Sequence, residues 1–346
     1  MRIENILRDK VYIFASSPQT TDTEKNILKT IAAKNNLGEI SQTFVVDNND
    51  DYDSYRIVSN KGQFLAKISL DALNKSLQKD FAALEELKFG GGFPIPIRLG
   101  EIKDYGANYS LSTWINKDNC ASFGKSTLSQ NEQGFLSFLN SLQENCQSLP
   151  SFSEKLADNY FGAESFLYSE LRKADFGEDQ EIIDLCFKET GETKNIIKNL
   201  YDASMEGSNF CHGEISPSRL LFHEGSFSMI NFENSFRGNR LLDILSLKYE
   251  FFLSEQMENH LLQEYKKTNN FSPAEFQKCS QIVRAMKFLA LIEELIKQVY
   301  LYKGLRQRKL LELTEKMSRS FGYFYGFPPF ERHRDKIGEL FSHSVI

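Results

Sequence analysis

Three short stretches in the second half of the 346-residue chain decide the fold. Residues 212–221 read HGEISPSRLL, residues 230–233 read INFE, and residues 241–244 read LLDI. Polar residues stand beside apolar pairs in each stretch, as they do in short strands and turns that lie between helices. The pattern predicts small strands around a turn, over 209–213, 220–222 and 227–232.

The region upstream predicts a small lobe built on a five-stranded antiparallel sheet. β-branched and aromatic residues are concentrated in three successive segments joined by turns, and two more extended segments follow after a helix. On that helix, apolar residues from Leu73 to Leu87 recur at three- and four-residue spacing, which places them on one face. The predicted strands cover 40–46, 55–59, 64–68, 94–99 and 109–115, and the lobe is expected to end near Asn116.

The rest of the chain is predominantly helical by its apolar periodicity. The clearest helix start combines Ser272 as a cap, Pro273 at the first helical position and Glu275 at the third. Helices are predicted at 23–34, 130–147, 156–173, 181–205, 254–268 and 272–301. We therefore predict an α+β, two-lobed fold with an N-terminal extension (1–39), a β-rich lobe (40–116) and a helical lobe (117–346).

This layout is that of protein-kinase-like enzymes. The three quoted stretches resemble the pattern of the aminoglycoside phosphotransferase family, to which choline kinases are similar: His-Gly-Asp, four residues, Asn and an apolar pair, then Ile-Asp-Phe-Glu and a later Asp-Leu. The resemblance extends from about Ile40 to about Tyr302. The segments 64–68 (FLAKI) and 92–96 (GFPIP) also look like the strand that carries the nucleotide-binding lysine and the start of the fourth strand.

The resemblance implies roles for residues of the small lobe. Lys67 stands where the family has the lysine that contacts the phosphates of ATP. Asp80 is its partner by family position, although Glu85 and Glu86 are open alternatives. Thr113 and Trp114 lie at the end of the fifth strand, at the nucleotide site that the resemblance implies, where Trp114 either lines an adenine pocket or packs at the lobe junction.

In the helical lobe, the resemblance places Glu214 at the position of the catalytic base. His212 could act as a general base, but in the family it mainly packs beneath the catalytic loop. Arg219 and Asn231 stand at the two positions that hold Mg²⁺. Asp243 is expected to hold the catalytic loop through backbone hydrogen bonds.

The same positions depart from the family pattern in ways that bear on catalysis. Glu214 replaces Asp and moves the carboxylate out by one methylene, in a reaction where a displacement of about 1 Å can cost about a hundredfold in rate. Arg219 is a permanent cation that cannot ligate Mg²⁺, and Asn231 is a neutral, poorer ligand than Asp. The turn at residues 47–53 (DNNDDYD) contains four acids and no Gly, so it should repel a triphosphate.

These departures lead to three functional hypotheses. The first is a catalytically impaired member of this fold, a pseudokinase that serves as a binding or regulatory module for a small molecule or a protein partner. The second is an active ATP-dependent phosphotransferase that acts on a small-molecule hydroxyl group, with ATP and Mg²⁺ as cofactors and a non-standard site. The third is a site that binds a different ligand.

Composition excludes several other classes. A net charge of −6 provides no global positive field for nucleic acid. The apolar helix predicted within 272–301 carries five charges between Arg284 and Lys297, so it is expected in a protein core and not in a membrane. The N-terminal sequence has no signal-peptide core, and the five cysteines are widely spaced, which predicts a cytoplasmic protein with free thiols.

Overall fold

The computed structural model describes most of the chain. The described residues are 20–48, 52–70, 75–87, 93–115, 121–122, 125–143, 149–156, 180–202, 205–223, 225–301, 323–324 and 327–331. Residues 157–173 of the helix predicted over 156–173 and residues 49–51 of the acidic turn lie outside them.

The chain forms two compact units. The sheet unit contains the described residues up to Pro150 together with Ser208–Arg237, and the helical unit contains those of Ser151–Gly207 and those from Gly238 onward. The predicted lobe boundaries at 39 and 116 stay a prediction.

The sheet unit begins with helix α1 (Asp22–Lys34) and a five-stranded sheet. The strands are β1 (Ile40–Asn48), β2 (Asp53–Ser59), β3 (Gly62–Ser69), β4 (Pro96–Ile102) and β5 (Ala107–Thr113), with helix α2 (Ser76–Leu87) between β3 and β4. Their order is β1-β2-β3-β5-β4, and all neighbouring strands are antiparallel. The predicted sheet is therefore confirmed, with strand ends that differ by two or three residues.

Side chains alternate across strand β3 in a way that positions the site. Ala66 and Ile68 are buried in an apolar core with Tyr55, Tyr109 and residues of α1. Because successive side chains of a strand point to opposite faces, Lys67 lies on the other face of the sheet. Lys67 is nevertheless 97% buried, since its residue exposure is 3%.

The remaining elements of the sheet unit are short. They are strand β6 (Ala121–Ser122), helices α3 (Lys125–Gln130) and α4 (Glu132–Leu142), and strands β7 (Asn209–Cys211), β8 (Leu220–His223), β9 (Ser226–Met229) and β10 (Phe236–Gly238). The helix predicted over 130–147 is present as α4, and residues 144–147 of it lie outside the described residues, whereas α3 was not predicted. The Asn131 side chain donates to the Thr127 carbonyl (3.0 Å), a local bond that competes with helix continuation and separates α3 from α4.

The helical unit contains α5 (Phe152–Leu156), α6 (Gln180–Leu200), α7 (Leu241–Phe251), α8 (Glu255–Thr268), α9 (Pro273–Leu301) and α10 (Pro328–Glu331). The predicted start of α9 is confirmed, because the Ser272 hydroxyl accepts the Glu275 N–H at 3.1 Å. Helix α7 was not predicted; nearly all its residues are buried, so its sequence lacks the polar face that marks a surface helix. Within the described residues, none of the helices combines the length and apolarity needed to cross a membrane.

Candidate functional site

The site lies within the sheet unit and begins with a buried ion pair. The Lys67 ammonium group lies 3.0 Å from Asp80 Oδ2, and both side chains are 3% exposed. Of the three acids considered as partners of this lysine, Asp80 is the one that forms the ion pair. Its second oxygen, Oδ1, accepts the Phe232 N–H at 2.8 Å. Asp80 therefore connects helix α2 both to strand β3 and to the segment that follows β9.

The β8–β9 hairpin explains why Arg219 and Asn231 come together. Leu220 pairs with Met229, and one step further the Ile230 N–H donates to the Arg219 carbonyl at 3.0 Å. Arg219 and Asn231 are therefore almost opposite each other at the open end of the hairpin. The Arg219 side chain donates from NH1 to the Asn231 carbonyl at 3.1 Å.

Arg219 also bridges two carboxylates. NH2 lies 2.9 Å from Glu214 Oε2, and NH1 lies 2.9 Å from Glu233 Oε1. Burial alone would lower the pKa of the Arg219 guanidinium, but the two carboxylates raise it above its ordinary value. The guanidinium is therefore a fixed positive charge at any working pH.

Glu233 connects Arg219 to Lys67. Its Oε2 lies 3.8 Å from the Lys67 ammonium group, and only 9% of its side chain is exposed. Burial would raise the pKa of Glu233, but the positive charges of Lys67 and Arg219 lower it below the ordinary value. We call the resulting line of five side chains the carboxylate–cation chain; in order, it contains Asp80, Lys67, Glu233, Arg219 and Glu214.

Glu214, which the resemblance places at the catalytic base, is held by two donors. Its Oε2 accepts the Arg219 guanidinium and, at 2.7 Å, the Asn234 side-chain amide. About a third of its side chain is exposed. The atom that would take a proton from an acceptor hydroxyl is therefore Oε1, because Oε2 already has two partners.

His212 has a backbone-holding role. It is fully buried, its Nδ1 accepts the Glu214 N–H at 3.3 Å, and its Nε2 lies 3.2 Å from the Ile230 carbonyl. These contacts assign the proton to Nε2, since a carbonyl can only accept. Both ring nitrogens are thus bonded to the backbone, which supports the packing interpretation of His212 over the general-base one.

Thr113 and Trp114 lie at a small pocket that is also lined by Ser54, the strand partner of Lys67, and by Asn231. The Thr113 hydroxyl accepts the Ile95 N–H at 2.8 Å, and the Arg56 guanidinium stacks 5.1 Å above the Trp114 ring. The pocket has a volume of about 30 Å³. Its lining residues are uncharged: Val46, Ser54, Leu65, Pro94, Thr113, Trp114, Ile115, Ile230 and Asn231.

Asp243, the last predicted residue, is buried in the first turn of α7, and its carbonyl accepts the Ser246 hydroxyl at 2.7 Å. Its role in holding the loop at 212–221 stays a prediction.

Comparison with known proteins was made by sequence and by structure. No protein-family model and no curated protein matches the chain. Solved structures do match. Amicoumacin kinase hAmiN, in complex with AMP-PNP, Ca²⁺ and Ami, aligns over 86% of this chain and 92% of that chain with a TM-score of 0.61 and 13% identity. The fold is that of these phosphotransferases.

Two further structures agree with this assignment. The apo form of a thermostable mutant of aminoglycoside phosphotransferase APH(4)-Ia aligns over 84% of this chain and 96% of that chain, with a TM-score of 0.57 and 10% identity. Choline kinase LicA from Streptococcus pneumoniae aligns over 80% and 92%, with a TM-score of 0.54 and 14% identity. The predicted fold class, an α+β two-lobed kinase-like fold, is confirmed.

The phosphotransferase fold implies Mg²⁺ beside positions 219 and 231, and the residues at this site do not fit it. Mg²⁺ requires near-octahedral oxygen ligands at about 2.0–2.1 Å. Here the Arg219 guanidinium takes up oxygens of Asn231, Glu214 and Glu233. A second cation about 4 Å from the guanidinium would be repelled by about 4 kcal/mol per unit charge at an effective dielectric constant of about 20.

The sequence interpretation missed two residues of this site. Glu233 was quoted as part of the INFE stretch without a role, yet it joins the two cations. Tyr52 lies within the acidic turn and was not considered, although its ring contacts Lys67. The signal that could have indicated Glu233 is that it is the only charged residue of the INFE stretch. For Tyr52, the signal was a lone aromatic residue in a turn of acids.

Proposed function

We propose that this protein is a ligand-binding or regulatory module on the phosphotransferase fold, in which metal-dependent phosphoryl transfer has been lost. Its ligand is a small molecule or a protein partner. The observation that carries the proposal is the Arg219 guanidinium, which lies 2.9 Å from both Glu214 and Glu233. One side chain thereby occupies the metal-ligand position and engages the base.

Phosphoryl transfer on this fold depends on positioned Mg²⁺, a lysine on the phosphates and a carboxylate that orients the acceptor hydroxyl. Only the lysine and its acidic partner match that set without change. The carboxylate–cation chain has two positive and three negative charges, a net charge of −1. A triphosphate without Mg²⁺ would therefore meet a site of its own sign.

An internal arginine supplies positive charge without the geometry of a metal. It donates hydrogen bonds in a planar fork but cannot bridge phosphate oxygens in an octahedral arrangement. In this protein the guanidinium ties the loop at Glu214 to the segment at Asn231 and Glu233. The site thus has, without a bound metal, the charge balance that the metal would otherwise provide.

The second candidate is an active phosphotransferase with a rearranged site that uses ATP and Mg²⁺. It is favoured by the Lys67–Asp80 pair at 3.0 Å and by the Asp80 bond to the Phe232 N–H, because kinase activity requires such a lysine–acid pair to be in place. The Oε1 atom of Glu214 would be its base.

A restoration experiment separates the two candidates. Thermal unfolding would be measured with ATP, with and without Mg²⁺, for the wild type and for a triple variant with the family residues, Glu214→Asp, Arg219→Asn and Asn231→Asp. We expect no Mg²⁺-dependent stabilisation of the wild type. The triple variant should gain a Mg²⁺-dependent stabilisation. At an ATP concentration of 100 times its Kd, this stabilisation would be about 2.7 kcal/mol, which raises the melting temperature by roughly 5 to 10 °C.

The control is the triple variant with Lys67→Met added, which should lose the gain. A coupled assay for ADP release, run with a panel of hydroxyl compounds, covers catalysis. Mg²⁺-dependent ATP binding and turnover by the wild type, both abolished by Lys67→Ala and by Glu214→Ala, would contradict the proposal and establish the second candidate.

A further inference from the structure

The aromatic ring of Tyr52 covers the Lys67 ammonium group. The Lys67 nitrogen lies 4.8 Å from the centre of the ring, and each residue is only 3% exposed. Asp80 and Glu233 lie on other sides of the same ammonium group, at 3.0 Å and 3.8 Å. Lys67 is therefore enclosed by two carboxylates and one aromatic face.

Strand pairing explains why Tyr52 reaches this position. Ser54 pairs with Lys67, and Asp53 pairs with Ile68, across the antiparallel β2–β3 pair. Tyr52 precedes Ser54 by two residues and so points to the same face of the sheet as Lys67. It is also a diagonal neighbour of Lys67, a distance that an aromatic side chain can span.

The phenol ring thus stands against the buried amine of strand β3 that could attract an anion. An aromatic face attracts a cation but offers an anion nothing, since the face carries the negative part of the ring quadrupole.

We propose that Tyr52 closes Lys67 to anionic ligands, so that a phosphate group cannot contact this lysine while Tyr52 holds its position. The inference rests on the proposed function only in taking Lys67 as the phosphate-contacting lysine of the fold. It makes Tyr52 the residue that determines ligand class at this site. A phosphate-bearing ligand, including ATP bound by the triple variant described above, requires Tyr52 to move.

Chemical labelling of Lys67 tests the closure directly. The full-length wild type, Tyr52→Ala and Tyr52→Phe would be treated with an amine-acylating reagent, and the labelling rate of Lys67 measured by peptide mass spectrometry. The half-exposed Lys25 serves as the internal reference. We expect Tyr52→Ala to raise the Lys67 rate at least tenfold relative to Lys25. Tyr52→Phe, which keeps the ring, should stay within twofold of the wild type.

Inorganic pyrophosphate provides the ligand test in the same assay. It should slow Lys67 labelling at least threefold in Tyr52→Ala and leave the wild type unchanged. Equal Lys67 rates in the wild type and Tyr52→Ala, or equal effects of pyrophosphate on both, would overturn the inference. If Tyr52→Ala loses its cooperative thermal transition, Tyr52→Val takes its place under the same criteria.

The labelling result is independent of catalysis, so the two proposals can fail separately. If the wild type turns over ATP while Tyr52 protects Lys67 from labelling, the proposed loss of phosphoryl transfer is wrong and the closure stands. Fast labelling of Lys67 in an inactive wild type would remove the closure alone.

Discussion

Replacing Arg219 by Met removes the guanidinium that joins Glu214 to Glu233 while it keeps most of the apolar stem. Arg219 and Glu233 are largely buried, with side-chain exposures of 15% and 9%. Breaking a buried pair by removing one partner costs about 3–5 kcal/mol. Glu233 keeps its contact with Lys67 in the variant, so we expect a cost near the lower end of this range. Glu214 is about a third exposed, so its pair adds only about 0–1 kcal/mol. We expect Arg219→Met to lower the free energy of unfolding by about 3 to 4 kcal/mol.

Trp114 makes this measurement specific to the sheet unit. It is the only tryptophan in the chain and belongs to the same unit as Arg219, so its fluorescence reports the unfolding of that unit. With a denaturant dependence of about 2 kcal/mol per molar urea, the expected loss moves the unfolding midpoint down by roughly 1.5 to 2 M. The matched control is Arg98→Met, because Arg98 is an exposed arginine on strand β4 of the same unit.

A double-mutant cycle separates the ion pair from general damage. Arg219→Met combined with Glu233→Gln should cost less than the sum of the two single changes, by about 1 to 3 kcal/mol, because the double variant removes both charges of the buried Arg219–Glu233 pair. The reasoning is refuted if Arg219→Met unfolds within about 0.5 kcal/mol of Arg98→Met. It is also refuted if the two single changes are additive.

Three further predictions concern other groups of the protein. Because the pKa of Glu233 lies below its ordinary value of 4.5, its stabilising contribution is complete above that pH and is lost as pH falls toward the lowered pKa; urea midpoints at pH 7, 4.5 and 3 should fall less steeply for Glu233→Gln than for the wild type. Asp80→Leu should cost about 3–5 kcal/mol of unfolding free energy, and adding Lys67→Met should recover at least about 1 kcal/mol; a double variant less stable than Asp80→Leu would contradict this. Burial raises the pKa of Cys279 to about 12, so at pH 8 its alkylation by iodoacetamide should be roughly a thousandfold slower in the folded protein than in urea, and equal rates would show that the thiol is accessible.

The five strands could be predicted because their signals are local. Alternation and turn residues define β1 to β5, and the helix after β3 carries its apolar face at helical spacing. Helix α7 was missed for the opposite reason, since a helix buried on every side has no periodic contrast. Helix α3 was not predicted either, and its separation from α4 at Asn131 depends on one side-chain bond that competes with the helix.

The pairing of Lys67 with Asp80 could be predicted from the resemblance, but the carboxylate–cation chain could not. Arg219 stands five residues after Glu214 and fourteen before Glu233, and no periodic pattern relates positions at those separations. Their contact requires the β8–β9 register, which places Arg219 opposite the segment after Met229. The sequence did place a cation, Arg219, at the position where the resemblance implies a metal ligand.

The sequence by itself determined most of the elements that form, and that Arg219 and Asn231 stand where the resemblance places metal ligands. Only the tertiary structure decided that the guanidinium binds two carboxylates and that Tyr52 covers Lys67. The physical reason is the sequence separation of the groups that interact. Secondary structure follows from backbone preferences and side-chain periodicity over a few residues, whereas the strength of an ion pair or an aromatic contact changes over a few ångströms between groups that the folded chain brings together.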